Sequence, residues 1–422
     1  MRFTSKLKLP DRALPARFPL VVDLTTGIIC EPAIMFLYQR HVLQKAKKPV
    51  KNTLKAYAYD LKEWFEYLDE FGLAWNEILS RDVAGFAKVM RATISPETGR
   101  NYATRTIDRR VSTVVSLYKW AIRSQYRTAF SEDVIEEIEK IISERNDLSL
   151  DLDADEQQHV SLIQPTQARS ILQCAGPTPR EMRPKEFLRH CSEKPRLSDL
   201  VALGSSRNRL AMDIALGVGL RVSEVCGLKL KQFQAFLSRE PMAETQVVQI
   251  AVKGKGSKTR SVDFSGSLIN EIVEYVKSER AGILLITGRH DTTELLVNRF
   301  AARKYAGART TVRTLERAFA KACIEAGCSK SVAVQQLEDD GAVSALMQQT
   351  MPLFVFHDLR HSFAIWTYYA RKRAGDSEPW MYIQKQLGHA HLTTTLKIYL
   401  SAAQDFEAYV SDMAIKHLNA EI

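Results

Sequence analysis

Cysteine is scarce in this chain of 422 residues. The six present are Cys30, Cys174, Cys191, Cys226, Cys323 and Cys328, with no C-x-x-C pair and no zinc-ligand spacing among them. So few and so scattered thiols exclude a disulfide framework and imply a reduced, intracellular chain. Long apolar runs are also missing, and no stretch approaches the roughly 20 residues of a membrane span. The opening segment MRFTSKLKLPDRALPARFPL is basic and broken by prolines, without the apolar core of a secretory signal. The expected compartment is the cytoplasm. Sequence repeats of fixed period are absent, which excludes a solenoid or propeller. Nor is there an acidic surplus: 59 Lys and Arg oppose 49 Asp and Glu, a net charge of +10. That balance favours a polyanionic partner, either nucleic acid or an acidic membrane surface, without choosing between them.

What is there suffices for two packed cores, with 45% hydrophobic and 26% charged residues. The sharpest shift in composition is at 146–157 (NDLSLDLDADEQ), which has five acidic residues, no basic ones and no helical period. An acidic linker over 146–158 is therefore expected, between an N-terminal helical domain (1–145) and a C-terminal domain (159–422). In the first, Leu54, Tyr57, Ala58, Leu61, Trp64, Phe65 and Leu68 recur at helical spacing, with Asn52 and Thr53 as candidate caps. A second helix is predicted over 104–123, with Ile107, Val111, Val114, Val115, Leu117, Tyr118 and Ile122 as its core face. Between Arg100 and Arg127 stand seven basic residues, opposed only by Asp108. They form either a solvated helix surface or a face laid against phosphates, where each contact releases counterions.

The C-terminal part reads as mostly helical with one exception. TQVVQIAV (245–252), the turn GKGS (254–257) and TRSVDF (259–264) predict a β-hairpin with a lysine at its tip. A helix is expected over 354–369 behind Pro352, another near 396–400, and a tail helix over 405–418 with an apolar face at Phe406, Tyr409, Val410 and Met413. Four segments carry chemistry-bearing residues. GVGLRVSE (217–224) delivers Arg221 after a glycine-broken turn, with Glu224 three residues on, which is also the pattern of an ordinary capped helix start. The hairpin tip holds Lys253, Lys255 and Lys258; a solvated basic turn has the same composition. HDLRH (357–361) places His357 and Arg360 on one helix face. LGH (387–389) is followed ten residues after its histidine by Tyr399. His357 and His361 also stand at i, i+4, but no Glu lies between them as in H-E-x-x-H and no cysteine joins them, so no metal site is expected. His361 reads as a core or supporting histidine.

Taken together, GLRVSEVCGL, VKGKGSKTRSV, HDLRHSFA and LGHAHLTTTLKIYL occur in an order that resembles the tyrosine recombinase (phage integrase) family. The resemblance spans the whole part after the linker, and more loosely the N-terminal helices, which are similar to the family's core-binding domain. It implies a mainly α fold with a small β-hairpin, the two domains closing as a C-shaped clamp on DNA. It assigns Arg221 and Arg360 to the scissile phosphate, Lys255 to the hairpin lysine, His357 and His389 to the two histidine positions and Tyr399 to the nucleophile, with Glu224 supporting the first arginine. It further implies double-stranded DNA with specific sites as partner, a tetramer on two sites, nucleoid association when bound, and no cofactor. Arg105, Arg109, Arg110, Lys119, Arg123, Lys253 and Lys258 are the expected DNA contacts. Two departures stand out. The segment from Cys328 to Pro352 is enlarged, and the interval from His389 to Tyr399 is one residue longer than the family's usual nine.

The residue types suit phosphodiester exchange. Charge grows on the non-bridging oxygens of a five-coordinate phosphorus, and paired arginines meet it with charge-assisted forks. A phenol leaves more readily than an alcohol, so a tyrosyl phosphate stays reactive and no ATP is required. Lys255 suits protonation of the departing sugar oxygen. Tyr368, Tyr369 and Tyr409 are rival tyrosines off the family's spacing. A type IB topoisomerase or hairpin resolvase would use the same chemistry. A non-catalytic DNA-binding accessory protein would lack some of these positions.

Overall fold

The computed structural model describes residues 8–9, 12–14, 18–23, 26–39, 51–95, 98–124, 126, 136, 161–182, 184–193, 195–254, 258–289, 292–337, 343–389, 391–393, 395–396 and 399. The acidic linker, the tip lysine Lys255 and the tail after Tyr399 lie outside them. The chain divides into two compact units, Met1–Gln157 with Ala333–Met347, and Gln158–Val332 with Gln348–Ile422. Among the described residues, no helix is long and apolar enough to cross a membrane.

The first unit is built on helices Glu31–Tyr38, Lys51–Glu70, Ser80–Ala92 and Thr104–Arg123. The period read from the sequence is the buried face. Leu54, Ala58, Leu61, Trp64, Phe65 and Leu68 are buried, and Val114, Leu117 and Tyr118 meet them from the fourth helix. Tyr57, Val111 and Ile122 pack only partly. Trp64 Nε1 donates to Tyr118 Oη at 3.2 Å, and that hydroxyl donates to Trp75 O at 2.8 Å, so the polar ends of both rings are satisfied inside the core. Asn52 and Thr53 do not cap the second helix. It already runs at Lys51, which puts both inside its first turn.

In the second unit the Arg207–Val218 helix is central. Leu210, Ala211, Met212, Ile214, Ala215 and Val218 are all buried, while Arg209, Asp213, Leu216 and Gly217 mark the side nearer the surface. Helices Pro165–Ala175, Gly266–Tyr275, Val312–Glu325 and Asp358–Arg373 pack around it. The predicted hairpin is present as Val247–Lys253 and Thr259–Ser265, antiparallel, with Ile250 opposite Val262 and Val248 opposite Phe264. Ile250, Val252, Val262 and Phe264 turn into the core.

Two expectations need correction. The helix predicted from 354 starts at Asp358, because Asp358 Oδ2 accepts from Val355 N at 2.8 Å and holds the preceding residues as a turn. Phe354 and Phe356 are buried there as non-helical residues. The enlarged segment is a second β-ribbon, Ser329–Leu337 paired with Val343–Pro352. Its five-residue connection permits only antiparallel pairing.

Candidate active site

The site grows from a left-handed turn. Gly219 ends the Arg207–Val218 helix at φ +74°, and a Cβ there would lie 2.4 Å from the Phe363 ring. Only glycine meets both demands. The turn releases Arg221 as the first residue before the short Val222–Val225 helix, and Glu224 Oε2 accepts from Arg221 N at 3.0 Å. The capped-helix reading and the functional reading of this motif thus coexist. Glu224 is 4% exposed, and its Oε1 also accepts from Arg221 Nη1 at 3.3 Å. Burial alone would raise its pKa; hydrogen bonds from Arg260 and from Arg221 N outweigh this and hold the carboxyl below its ordinary value.

Arg360, 1% exposed, joins two turns that are distant in sequence. Its Nη1 donates to Gly219 O at 2.7 Å and its Nη2 to Leu387 O at 2.8 Å, with His389 Nε2 at 3.3 Å from Nη2. Leu387 ends the Pro379–Leu387 helix, Gly388 turns the chain at φ +71°, and His389 follows. The other ring nitrogen of His389 lies 2.9 Å from Thr395 Oγ1, which fixes the ring plane. Burial lowers the Arg360 pKa to about 10, still far above neutrality.

Tyr399 is 1% exposed. Its ring lies nearly parallel to His389, with centroids 6.4 Å apart, and to Trp380, also at 6.4 Å. Its hydroxyl is 3.0 Å from His361 Nδ1. Burial raises the phenol pKa, and the charges of Arg360 and Arg221 pull it back. His361 packs edge-on against His357, centroids 4.7 Å apart. All three histidines are held neutral: His357 is lowered to about 4 by burial and then by Arg360 and Arg221. His361 is lowered to about 3 by burial and then by His357 and Arg360. His389 is lowered to about 4 by burial and then by Arg360 and Arg221.

Arg221, Glu224, His357, Arg360, His389 and Tyr399 therefore belong to one cluster, while Lys255 lies outside the described residues. Two further members join them, His361, expected as a core or supporting histidine, and Arg260, which the sequence did not single out. His361 contacts the Tyr399 hydroxyl, and Arg260 grips Glu224 through Nη1 and Nη2 at 2.8 and 2.9 Å. The strand alternation Arg260, Val262, Phe264 was the available signal for Arg260, since it sets an arginine on the inward face of the hairpin. Among the described residues, no group of three or more His, Cys, Asp or Glu is placed to hold a metal.

The phage integrase family model matches residues 186–405, and the phage integrase N-terminal SAM-like domain matches 38–125. The chain belongs to the phage integrase family. It is a tyrosine recombinase, an enzyme of DNA recombination. Tyrosine recombinase XerD of Oceanobacillus iheyensis is 22% identical over 359 residues, covering 84% of this chain and 89% of the relative. Tyrosine recombinase XerC of Anoxybacillus flavithermus is 23% identical over 368 residues, 87% of this chain and 93% of the relative. The crystal structure of the XerH site-specific recombinase bound to palindromic difH substrate, a post-cleavage complex, matches the fold with a TM-score of 0.50 at 18% identity, covering 85% of this chain and 79% of that one.

The basic residues expected to face DNA divide on inspection. Arg105 and Arg123 of the recombinase are exposed, as are Lys253 and Lys258 beside the hairpin tip, and Lys119 is half-buried. Arg109 is tied to the buried carboxylate of Asp60. Arg110 is withdrawn from the surface: it is 7% exposed, stacks 4.0 Å from the Tyr102 ring centroid and lies 3.5 Å from Glu63. Its place on the core side of its helix makes it a packing residue.

Proposed function

We propose that Tyr399 is the nucleophile of this recombinase and that Arg221 and Arg360 clamp the scissile phosphate. The observation that carries the reading is a buried tyrosine whose hydroxyl meets the neutral imidazole of His361, whose ring lies against His389, and whose phenol feels the charges of Arg360 and Arg221. In this reading Tyr399 Oη attacks phosphorus, the 5′-oxygen of the next nucleotide leaves, and the 3′-phosphate remains on the enzyme as a tyrosyl ester. The phenolic proton is lost to water as the new bond forms, and His361, neutral and in contact with the hydroxyl, is placed to orient it. The leaving oxygen takes a proton from Lys255 at the hairpin tip. His357 and His389 hold the phosphate beside the arginines. A 5′-hydroxyl from another strand then reverses the chemistry and releases Tyr399. The bond energy is conserved throughout, so no ATP is required, and in this reading the two arginines supply the positive charge that the transition state needs.

Tyr399 is buried in the free protein, so cleavage requires its hydroxyl to become accessible to the phosphate. We further propose that the enzyme acts on specific duplex sites as a tetramer across two of them, and that Arg105, Lys119, Arg123, Lys253 and Lys258 meet the DNA backbone. Incubation with nicked suicide duplexes carrying candidate sites tests the nucleophile: a denaturation-resistant adduct should form with the wild type and vanish in Tyr399→Phe. An adduct that persists in Tyr399→Phe moves the nucleophile elsewhere.

A further inference from the structure

Arg260 stands on an apolar face. It is opposite Val252 across the hairpin and shares its side with Val262 and Phe264, both fully buried. A cation there is costly unless it is hydrogen-bonded and paired. Its Nη1 and Nη2 fork onto Glu224 Oε1 and Oε2 at 2.8 and 2.9 Å, and its Nε donates to Gln386 O at 3.1 Å. Two motif glycines make room for it. A Cβ on Gly388 would lie 2.7 Å from Arg260 Cδ, and one on Gly254 would lie 3.0 Å from Nη1. The Gln386 side chain closes the same seam, donating to Asp263 O at 2.9 Å and accepting from Asp263 N at 3.1 Å. The hairpin, the GLR turn and the LGH turn thus meet at one guanidinium.

Three arginines reach the buried Glu224 carboxylate. Arg260 takes the bidentate geometry, while Arg221 Nη1 stands at 3.3 Å and Arg360 Nη1 at 3.8 Å. The bidentate fork is the strongest of the three arrangements. With that fork in place, Arg260 meets both carboxylate oxygens of Glu224, so that Arg221 adds one longer contact at 3.3 Å and Arg360 stands at 3.8 Å, beyond hydrogen-bond distance. With Arg260 removed, a buried carboxylate would be left to Arg221 and Arg360, and each donor it captured would be lost to the substrate. We propose that Arg260 is a positioning residue for strand cleavage: by satisfying Glu224 it leaves Arg221 and Arg360 free to hold the scissile phosphate. The inference rests on the reading of those two arginines as the phosphate clamp.

The test compares full-length wild type, Arg260→Gln and Arg260→Gln/Glu224→Gln in single-turnover cleavage. The substrate is a nicked suicide duplex obtained by covalent capture on the wild type from a randomised pool. Arg260→Gln is expected to cleave about 100-fold more slowly, the scale of losing a transition-state donor. The double variant lacks the competing carboxylate and should recover at least about tenfold of that rate, a coupling of opposite sign to simple damage. A double variant as slow as Arg260→Gln, or slower, overturns the proposal and leaves Arg260 as a hairpin anchor. A methylphosphonate at the scissile position gives a second readout, since it carries no charge for the arginines to neutralise. On it the Arg260→Gln penalty should shrink below about tenfold, and equal penalties on both substrates would overturn the proposal. A wild-type adduct that survives Tyr399→Phe would sink the nucleophile assignment while leaving this comparison intact.

Discussion

Arg360 and Arg221 are the same residue type in different settings, and the difference sets what each substitution should do. Arg360 is enclosed and serves as donor to two backbone carbonyls. Arg360→Lys loses the planar fork and leaves one carbonyl without its donor, so it should cost about 1.5–3 kcal/mol of stability as well as cleavage. Arg221 is about a third exposed, and its side chain touches Glu224 through one contact at 3.3 Å. Arg221→Lys should slow cleavage by roughly 100-fold with little change in stability. Denaturant melts alongside single-turnover cleavage separate the two. The histidines make a prediction about pH. Their folded pKa values, about 4, 3 and 4, lie below the ordinary 6.5. As pH falls below 6.5 the unfolded chain gains protons that the folded chain refuses, so the destabilisation from these three groups grows until the pH reaches their folded values and stays constant below them. In an NMR titration of the free protein all three imidazoles should remain neutral at about pH 5; a His361 inflection near 6.5 would contradict its enclosure. At this scale the motif residues were legible because each sits in a short string. His361 was visible but not its role, since its partner Tyr399 is 38 positions away.

Elements divide by how local their determinants are. The first hairpin was readable because β-branched alternation flanks a glycine-rich turn, and it spans 247–265 close to the expected bounds. The second ribbon was missed although SVAVQQL and VSALMQQT flank EDDGA. Its paired glutamines and small residues blur the alternation, and its length has no counterpart in the motif pattern. The helix carrying Arg360 was placed four residues early because Phe354 and Phe356 look like the start of an apolar face, whereas Asp358 fixes a turn ahead of it. The turn at Gly219 is the element on which the site depends most. Gly219→Ala would combine a positive φ with collision against Phe363, and should destabilise the protein by about 1–3 kcal/mol, measured by denaturant unfolding. If Gly219→Ala instead left stability unchanged, the packing of Phe363 into that turn would be wrong.

Across the whole molecule, the order of four weak motifs carried the family, because a single coincidence is cheap and four in sequence are not. What the order could not give was closure in space. Arg260 reaches Glu224 across 36 residues and Gln386 across 126, distances along the chain that no local pattern encodes. The charge of +10 is spread over the molecule, and the structure sorts which basic residues remain on the surface. Binding to duplex DNA should weaken steeply with salt. Arg105→Ala and Arg123→Ala should each reduce the log–log salt slope by about one, while Arg110→Ala should leave the slope alone and lower stability. The central claim concerns one atom, the Tyr399 hydroxyl, and peptide mapping of the covalent adduct tests it most directly. After proteolysis and fragmentation, the nucleotide phosphate should be found on Tyr399. A nucleotide on Tyr368, Tyr369 or Tyr409 would contradict the account.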